Sequence, residues 1–99
     1  MVVPYQHLDQ LHKLPQAAAD EMMHLSQRIE GAFRKAYSAR GINLGMNIGE
    51  SAGAGIVGHI HMHVLPRWTG DTNFMTTVAE TRVLPESLEQ TYKKLKAAL

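Results

Sequence analysis

Apolar side chains recur every three or four positions between Pro15 and Arg40, and this period predicts a long amphipathic helix. Its predicted buried face consists of Ala18, Met22, Leu25, Ile29, Phe33 and Ala36. Proline favours the first turn of a helix and glycine the position just after its end, so Pro15 and Gly41 are suitable limits. A second helix is predicted over residues 85–99. Its predicted buried face consists of Leu84, Leu88, Tyr92, Leu95 and Leu99.

Two stretches alternate between apolar and other residues at every second position, which predicts β-strands. In residues 42–49 the apolar side chains alternate with asparagine and glycine. In residues 59–68 they are Ile60, Met62 and Val64, and they alternate with histidines. The connection between the two stretches is too short for a crossover helix, so the strands are expected to pair antiparallel.

The order of these elements predicts an α+β fold. Residues 1–5 are typical of the end of a further strand, since two valines precede a proline. Strands followed by helices in this order favour an antiparallel sheet with a long helix and a C-terminal helix packed on it. The length of 99 residues allows one domain at most, so we expect a single domain over residues 1–99.

Composition narrows the classes of function. The formal net charge is +1 and 19% of the residues are charged, which gives no electrostatic case for nucleic acid or a membrane surface. The absence of cysteine excludes disulfides, thiolate zinc sites and a cysteine nucleophile. No apolar run approaches the roughly 20 residues that cross a bilayer, and the first residues do not resemble a secretory signal. These features predict a cytoplasmic protein without a membrane partner.

The segment GHIHMHVLPRW places histidines at every second position, namely His59, His61 and His63. On a strand such residues share one face, about 6.5–7 Å apart. Three imidazoles together can hold a metal ion, bind an anion, or carry out acid–base and nucleophilic chemistry. A catalytic zinc site usually needs a third ligand and an open position, and the nearest carboxylates in sequence are only Glu50 and Asp71.

A glycine-rich loop precedes the histidines. Its backbone N–H groups can approach a phosphate closely, and those of Gly53, Ala54 and Gly55 are the predicted donors. Asn47 lies on the same kind of face as the histidines and is a further candidate for a phosphate or ribose oxygen. Trp68 follows the histidine strand and could stack on a base, meet a partner subunit or simply pack.

The segment HIHMHVLP matches the His-φ-His-φ-His-φ-φ signature, in which φ is apolar, and the chain resembles the histidine triad (HIT) superfamily of nucleotide hydrolases and transferases. The segments VVPYQH, NIGESAGAG, PRWTGDTNFM and TRVLPESLEQTY are similar to its branch of diadenosine tetraphosphate phosphorylases and related bacterial HIT proteins. The resemblance covers nearly the whole chain.

The resemblance implies a mechanism. His61, the middle histidine, would attack the α-phosphorus of a nucleoside phosphate and form a nucleotidyl-histidine intermediate, which water or phosphate then resolves. His63 would contact the phosphate oxygens and the leaving group. His59 and His7 would belong to a hydrogen-bond relay that fixes the tautomers. The scheme implies a nucleotide substrate and requires no metal or other cofactor.

Two departures from the family pattern bear on these expectations. Gly55 and Ile56 stand where many members carry glutamine and serine or threonine, so side-chain contacts to phosphate are lost. The helix and β-hairpin that normally precede the segment matching VVPYQH have no counterpart here, which implies a truncated HIT-like fold with an uncovered sheet edge. We therefore expect a homodimer, with strands that are exchanged or rearranged. Two alternatives stay open: a nucleotide-binding domain with weak or no catalysis, and a metal-binding dimer that uses the histidine row.

Overall fold

The computed structural model describes residues 1–55, 58–72 and 86–99. The long helix α1 comprises Gln16–Tyr37, and a shorter helix α2 comprises Leu88–Ala98. The strands β1, Gly41–Gly45, and β2, His63–Arg67, form an antiparallel sheet. Single turns of 3₁₀ helix at Leu11–Lys13 and Glu50–Ala52 lie in the connections. The predicted α+β fold class is confirmed.

Helix α1 follows Pro15, whose fixed φ suits a helix start. The helix ends earlier than the predicted limit of Arg40. Ser38 adopts the left-handed conformation at φ 50°, and its N–H donates to the carbonyl of Arg34. This C-terminal geometry was expected only at Gly41 and is supplied three residues before it by a serine.

The two strands are shorter than the alternation predicted. They pair in the register Gly41↔Arg67 to Gly45↔His63, so β1 does not extend to residue 49. The stretch 59–62 lies outside β2 because it pairs with the N-terminal segment instead, through a bridge between Val2 and Met62. The expected strand end within residues 1–5 is thus present as a single bridge.

The core lies between α1, β2 and the N-terminal segment. Its buried side chains are Val2, Leu14, Met22, Phe33, Ala39, Ile60 and Val64. The predicted stripe of α1 is confirmed, since Met22 and Phe33 are buried and Leu25 and Ile29 are half-buried. Helix α1 packs against both α2 and β2 and so holds the sheet in place.

The predicted buried face of α2 is largely wrong. Leu95 packs against the core, but Leu88 and Tyr92 are 80% and 62% exposed and Leu99 is also exposed. Among the described elements, the helix packs chiefly against α1, which leaves these side chains exposed. Leu84 lies outside the described residues. Neither of the described helices is long and apolar enough to cross a membrane.

The start of α2 is fixed by its own side chains. The Ser87 hydroxyl accepts from the N–H of Gln90, and the Gln90 side chain accepts from the N–H of Ser87. This capping box satisfies two backbone donors that the first turn leaves without partners. The preceding residue, Glu86, accepts a 2.8 Å bond from Lys94, which ties the entry of the helix to its last turns.

Candidate active site

The histidine segment is anchored by the apolar residues that alternate with it. Ile60 and Val64 are 3% and 6% exposed, and Met62 is half-buried against the same core. Successive side chains of an extended chain point to opposite sides, so this burial directs the intervening histidines away from the core centre. The pattern that the sequence showed therefore governs the direction of the rings.

Backbone hydrogen bonds hold the segment against the N-terminal residues. The N–H of Val2 donates to the carbonyl of Met62 at 2.8 Å, and the N–H of Met62 donates back at 2.9 Å. The N–H of Ile60 donates to the carbonyl of Leu8 at 2.8 Å. Residues 59–62 are thus fixed by partners more than 50 positions away in the sequence.

Four imidazoles meet at this place as two edge-on pairs. The ring centroids of His61 and His63 are 4.9 Å apart, with the planes at 75°. Those of His7 and His59 are 5.1 Å apart, with the planes at 65°. The structure places the four predicted histidines in these two pairs, which the hydrogen bond from His61 to the His59 carbonyl connects. The expectation that 59–63 forms one continuous strand is wrong, because only His63 belongs to β2.

The hydrogen bonds of His59 and His61 determine where their protons lie. The Nε2 of His59 is 2.9 Å from the carbonyl oxygen of Pro4, and the Nδ1 of His61 is 3.0 Å from the carbonyl oxygen of His59. A carbonyl only accepts, so each of these nitrogens carries a hydrogen and donates it. In the neutral His61 ring the Nε2 then bears a lone pair. This ring is 7% exposed and is held in one tautomer.

The peptide unit between His59 and Ile60 is engaged on both sides. Its carbonyl accepts from His61, and its N–H donates to Leu8. Hydrogen bonds in a chain polarise one another, so the bond to Leu8 makes the His59 carbonyl a better acceptor. The sequence pattern gives no signal for the carbonyls of Pro4 and Leu8, because any residue supplies a carbonyl.

The glycine-rich loop is bonded to itself. The N–H groups of Ala52 and Ala54 donate to Gly49, and that of Gly53 donates to Glu50. Gly49 and Gly53 have φ of 84° and 82°, conformations that favour glycine. The predicted phosphate donors on Gly53 and Ala54 are therefore engaged within the loop.

The remaining loop candidates lie on either side of these turns. The Asn47 side chain donates to the Gly53 carbonyl at 3.4 Å, so this candidate is brought to the loop rather than left on an open strand face. Gly55 is the last residue described before the gap at residues 56–57, and Ile56 lies outside the described residues.

Trp68 is not brought to the histidines. It follows the far end of β2, about 16 Å from His63 at the usual rise of a strand. Its indole N–H donates to the carbonyl of Tyr37 at 3.0 Å, and the two rings meet edge-on at 6.5 Å. Of the three roles predicted for Trp68, these contacts support packing.

A charged cluster around Arg67 occupies the same far end. The guanidinium donates two bonds to Asp71, at 2.6 and 2.8 Å, and one to Asn43 at 2.7 Å. The carboxylate of Asp71 also accepts from the N–H of Trp68. The bond from Arg67 holds the pKa of Asp71 well below its ordinary value. The chain turns at residues 68–71, where the N–H of Asp71 donates to the carbonyl of Trp68 at 3.2 Å.

Metal coordination has limited support within one chain. Among residues 1–55, 58–72 and 86–99, no three histidine, aspartate or glutamate side chains converge closely enough to hold a metal ion. The four histidines instead pair edge-on, with two of their nitrogens donating to carbonyls.

Comparison with known proteins agrees with this geometry. A family model described as the HIT domain matches residues 1–70. The chain is 37% identical over 95 residues to a protein of Mycobacterium tuberculosis named AP-4-A phosphorylase, covering 96% of this chain and 49% of that protein. It is 31% identical over 68 residues to the protein named Protein hit of Bacillus subtilis, covering 69% of this chain and 46% of that protein. The chain thus spans about half the length of these curated relatives.

Solved structures give the same result. A zinc-bound histidine triad family protein from Mycobacterium smegmatis superimposes with a TM-score of 0.74 at 32% identity, covering 97% of this chain and 64% of that one. A Hit-like protein from Bartonella henselae, described as involved in cell-cycle regulation, superimposes with a TM-score of 0.76 at 26% identity, covering 98% and 67%. Since the family model matches most of the chain and the histidines meet as described, the chain belongs to the HIT family.

Proposed function

We propose that this chain transfers nucleotidyl groups from dinucleoside polyphosphates or nucleoside phosphoramidates, through an intermediate on the Nε2 of His61. The observation that carries the proposal is the fixed tautomer of His61. Its Nδ1–H is bonded to the His59 carbonyl, so the lone pair of the neutral ring lies on Nε2, beside His63. A neutral imidazole with an oriented lone pair is a competent nucleophile near pH 7.

In the first step the Nε2 of His61 attacks the α-phosphorus. A bond forms between nitrogen and phosphorus, and the bond from phosphorus to the leaving oxygen or nitrogen breaks. The leaving group takes a proton from His63, whose ring lies edge-on to His61. The positive charge that develops on His61 is stabilised by the Nδ1–H bond to the His59 carbonyl.

In the second step water or inorganic phosphate attacks the same phosphorus, and the proton that it loses passes to the His63 ring that gave one to the leaving group. The phosphorus–nitrogen bond breaks and its electron pair returns to His61. Water gives a nucleoside monophosphate, and phosphate gives a nucleoside diphosphate. Each product accounts for all atoms of the intermediate and its acceptor, and no redox partner or cofactor takes part.

The substrate class is supported by the relatives. The M. tuberculosis relative is named AP-4-A phosphorylase and aligns over nearly the whole of this chain, although the chain spans 49% of it. We therefore place dinucleoside tetraphosphates first among the substrates to test. Asn47 and Gly55 are proposed to contact the phosphates, whereas the N–H groups of Gly53 and Ala54 would first have to leave their bonds to Glu50 and Gly49.

In the proposed function, two copies of the chain form a dimer. Several large apolar side chains are exposed, among them Tyr5, Tyr92 at 62% and Leu88 at 80%. Exposed apolar area of this kind is typical of an interface, and symmetric dimers are the commonest assemblies. Size-exclusion chromatography with light scattering tests this proposal, and a monomer at micromolar concentration contradicts it.

The function is tested with diadenosine tetraphosphate and adenosine 5′-phosphoramidate, each with and without inorganic phosphate. We expect nucleotide products from the wild-type chain and none from His61→Ala. His24→Ala is the matched control, because His24 is exposed on α1 and has no role in the scheme. Radiolabel from the α-phosphate should be trapped on the protein in an acid-labile, base-stable form. Binding of AMP without turnover, or turnover that survives His61→Ala, overturns the proposal.

A further inference from the structure

Gly58, directly before His59, leaves room that another residue would fill. A Cβ built on Gly58 lies 3.0 Å from the Nε2 of His7 and 3.6 Å from its Cε1. A contact of 3.0 Å is closer than ordinary van der Waals packing, so a Cβ at position 58 requires the His7 ring to shift by a few tenths of an ångström, and a larger side chain requires more. Gly58 does not lie in the left-handed region, unlike Gly49 and Gly53. Space, and not backbone conformation, is therefore what this glycine provides.

The ring over Gly58 is also the one that meets His59. Its centroid lies 5.1 Å from that of His59, and the two planes are at 65°. His59 donates from Nε2 to Pro4, and its carbonyl accepts from the Nδ1 of His61. A shifted His7 ring would alter its edge contact with His59 and so loosen one of the contacts that hold the His59 ring.

We propose that Gly58 is a positioning residue for the reaction at His61: the missing side chain admits His7 against His59, and His59 in turn orients His61. This inference rests on the proposed function for its catalytic part. Its structural part, the dependence of the His7–His59 contact on an empty position 58, is independent of any activity.

The experiment compares Gly58→Ala and Gly58→Val with the wild type, each also in a His7→Ala background. Gly45→Ala is the control, because a Cβ on Gly45 meets nothing within 4 Å. We expect Gly58→Ala to lower kcat by about two- to tenfold with KM nearly unchanged, since forcing a ring off its rotamer costs that order of rate. Gly58→Val should lower kcat further.

The double variants decide whether Gly58 acts through His7. If it does, Gly58→Ala changes kcat no further once the His7 ring is gone, because the displaced group is absent. An equal loss in both backgrounds overturns the inference. Thermal unfolding of each variant identifies losses that come from the fold.

A spectroscopic measurement separates this inference from the proposed function. The imidazole signals of His7 and His59 in nuclear magnetic resonance depend on their edge contact, whether or not the chain turns over a nucleotide. We expect both rings to shift in Gly58→Ala and to stay in place in Gly45→Ala. If the imidazole signals of His7 and His59 are unchanged in Gly58→Ala, the inference is overturned, even when the enzyme is active. If the rings shift in Gly58→Ala but the wild-type chain shows no turnover, the structural part of the inference stands and the proposed function is overturned.

Discussion

The two ends of β2 are held by different kinds of contact. At the histidine end, the stretch 59–62 is fixed by backbone hydrogen bonds to residues 2–8 and by the buried side chain of Ile60. At the far end, Arg67 is fixed by charged and polar side chains at the surface, chiefly Asp71. One strand thus joins a backbone-built site to a surface ion-pair cluster.

The difference shows that one sequence motif supplies reactive groups, whereas the other supplies contacts that stabilise the structure. Both ends belong to segments that resemble the same family, HIHMHVLP and PRWTGDTNFM. In the described residues of these segments, the first brings imidazole rings together and leaves a lone pair on the Nε2 of His61. In the second, the guanidinium of Arg67 is occupied by Asp71 and Asn43, which leaves it a structural role.

The largest expected effect is at the histidine end and concerns His63. His63→Ala should lower kcat by about 10²- to 10⁴-fold, the usual contribution of a general acid. A substrate with a p-nitrophenolate leaving group needs no proton, so the loss should shrink for an adenosine p-nitrophenyl phosphate. Steady-state kinetics with both substrates check this. An equal loss with each assigns His63 a role other than proton donation.

The next effect concerns what anchors each end. Ile60→Ala should lower the free energy of unfolding by about 2–5 kcal/mol, because Ile60 is 3% exposed and its loss leaves a cavity. Leu65→Ala, on the same strand but 51% exposed, should stay within about 0.5 kcal/mol. Urea unfolding measures both. Similar losses of unfolding free energy in the two variants would contradict the conclusion that a buried side chain anchors the histidine end.

A smaller effect is expected from the ion pair. The pKa of Asp71 is lowered in the folded chain, so its pair with Arg67 stabilises the fold above the ordinary carboxyl pKa and is lost as pH falls through the lowered value. Asp71→Asn should lower the melting temperature by a few degrees at neutral pH, since exposed pairs are weak. Melting curves across the acid range should show this difference persisting below the ordinary carboxyl pKa and closing only in strong acid. Unchanged turnover would support the structural role.

An effect of similar size is expected from Trp68. Trp68→Phe keeps a ring against Tyr37 but removes the indole N–H bond to its carbonyl, which should lower stability by about 0.5–1.5 kcal/mol. KM for the nucleotide should not change, because the indole lies at the opposite end of β2 from the histidines. A clear rise in KM for this variant or for Trp68→Leu would indicate that Trp68 contacts the substrate.

Local pattern was sufficient for some elements. The 3.6-residue period located α1 to within a few residues, because a helix makes its backbone bonds within itself. The burial of Ile60 and Val64 followed from simple alternation. The histidine motif, together with the family resemblance that added His7, indicated which rings lie close together, although not how they pair.

Long-range partners could not be predicted in this way. Alternation over 59–68 predicted one strand, whereas residues 59–62 and β2 pair with different parts of the chain. The acceptors of His59 and His61 are carbonyls, which have no residue signature. The exposure of Leu88 and Tyr92 depends on which elements reach α2, and helical periodicity does not contain that information.

The peptide unit between His59 and Ile60 is hydrogen-bonded through both its carbonyl and its N–H. The amide proton of Ile60 therefore reports whether His61 is held in its reactive orientation. Its exchange with solvent requires the 2.8 Å bond to Leu8 to open, and that opening weakens the acceptor that orients His61. Separation of residues 1–8 from residues 59–62 would therefore expose this proton to solvent and weaken the hydrogen bond that orients His61, in a single event. The deuterium uptake of one backbone position should then follow the fraction of molecules able to react.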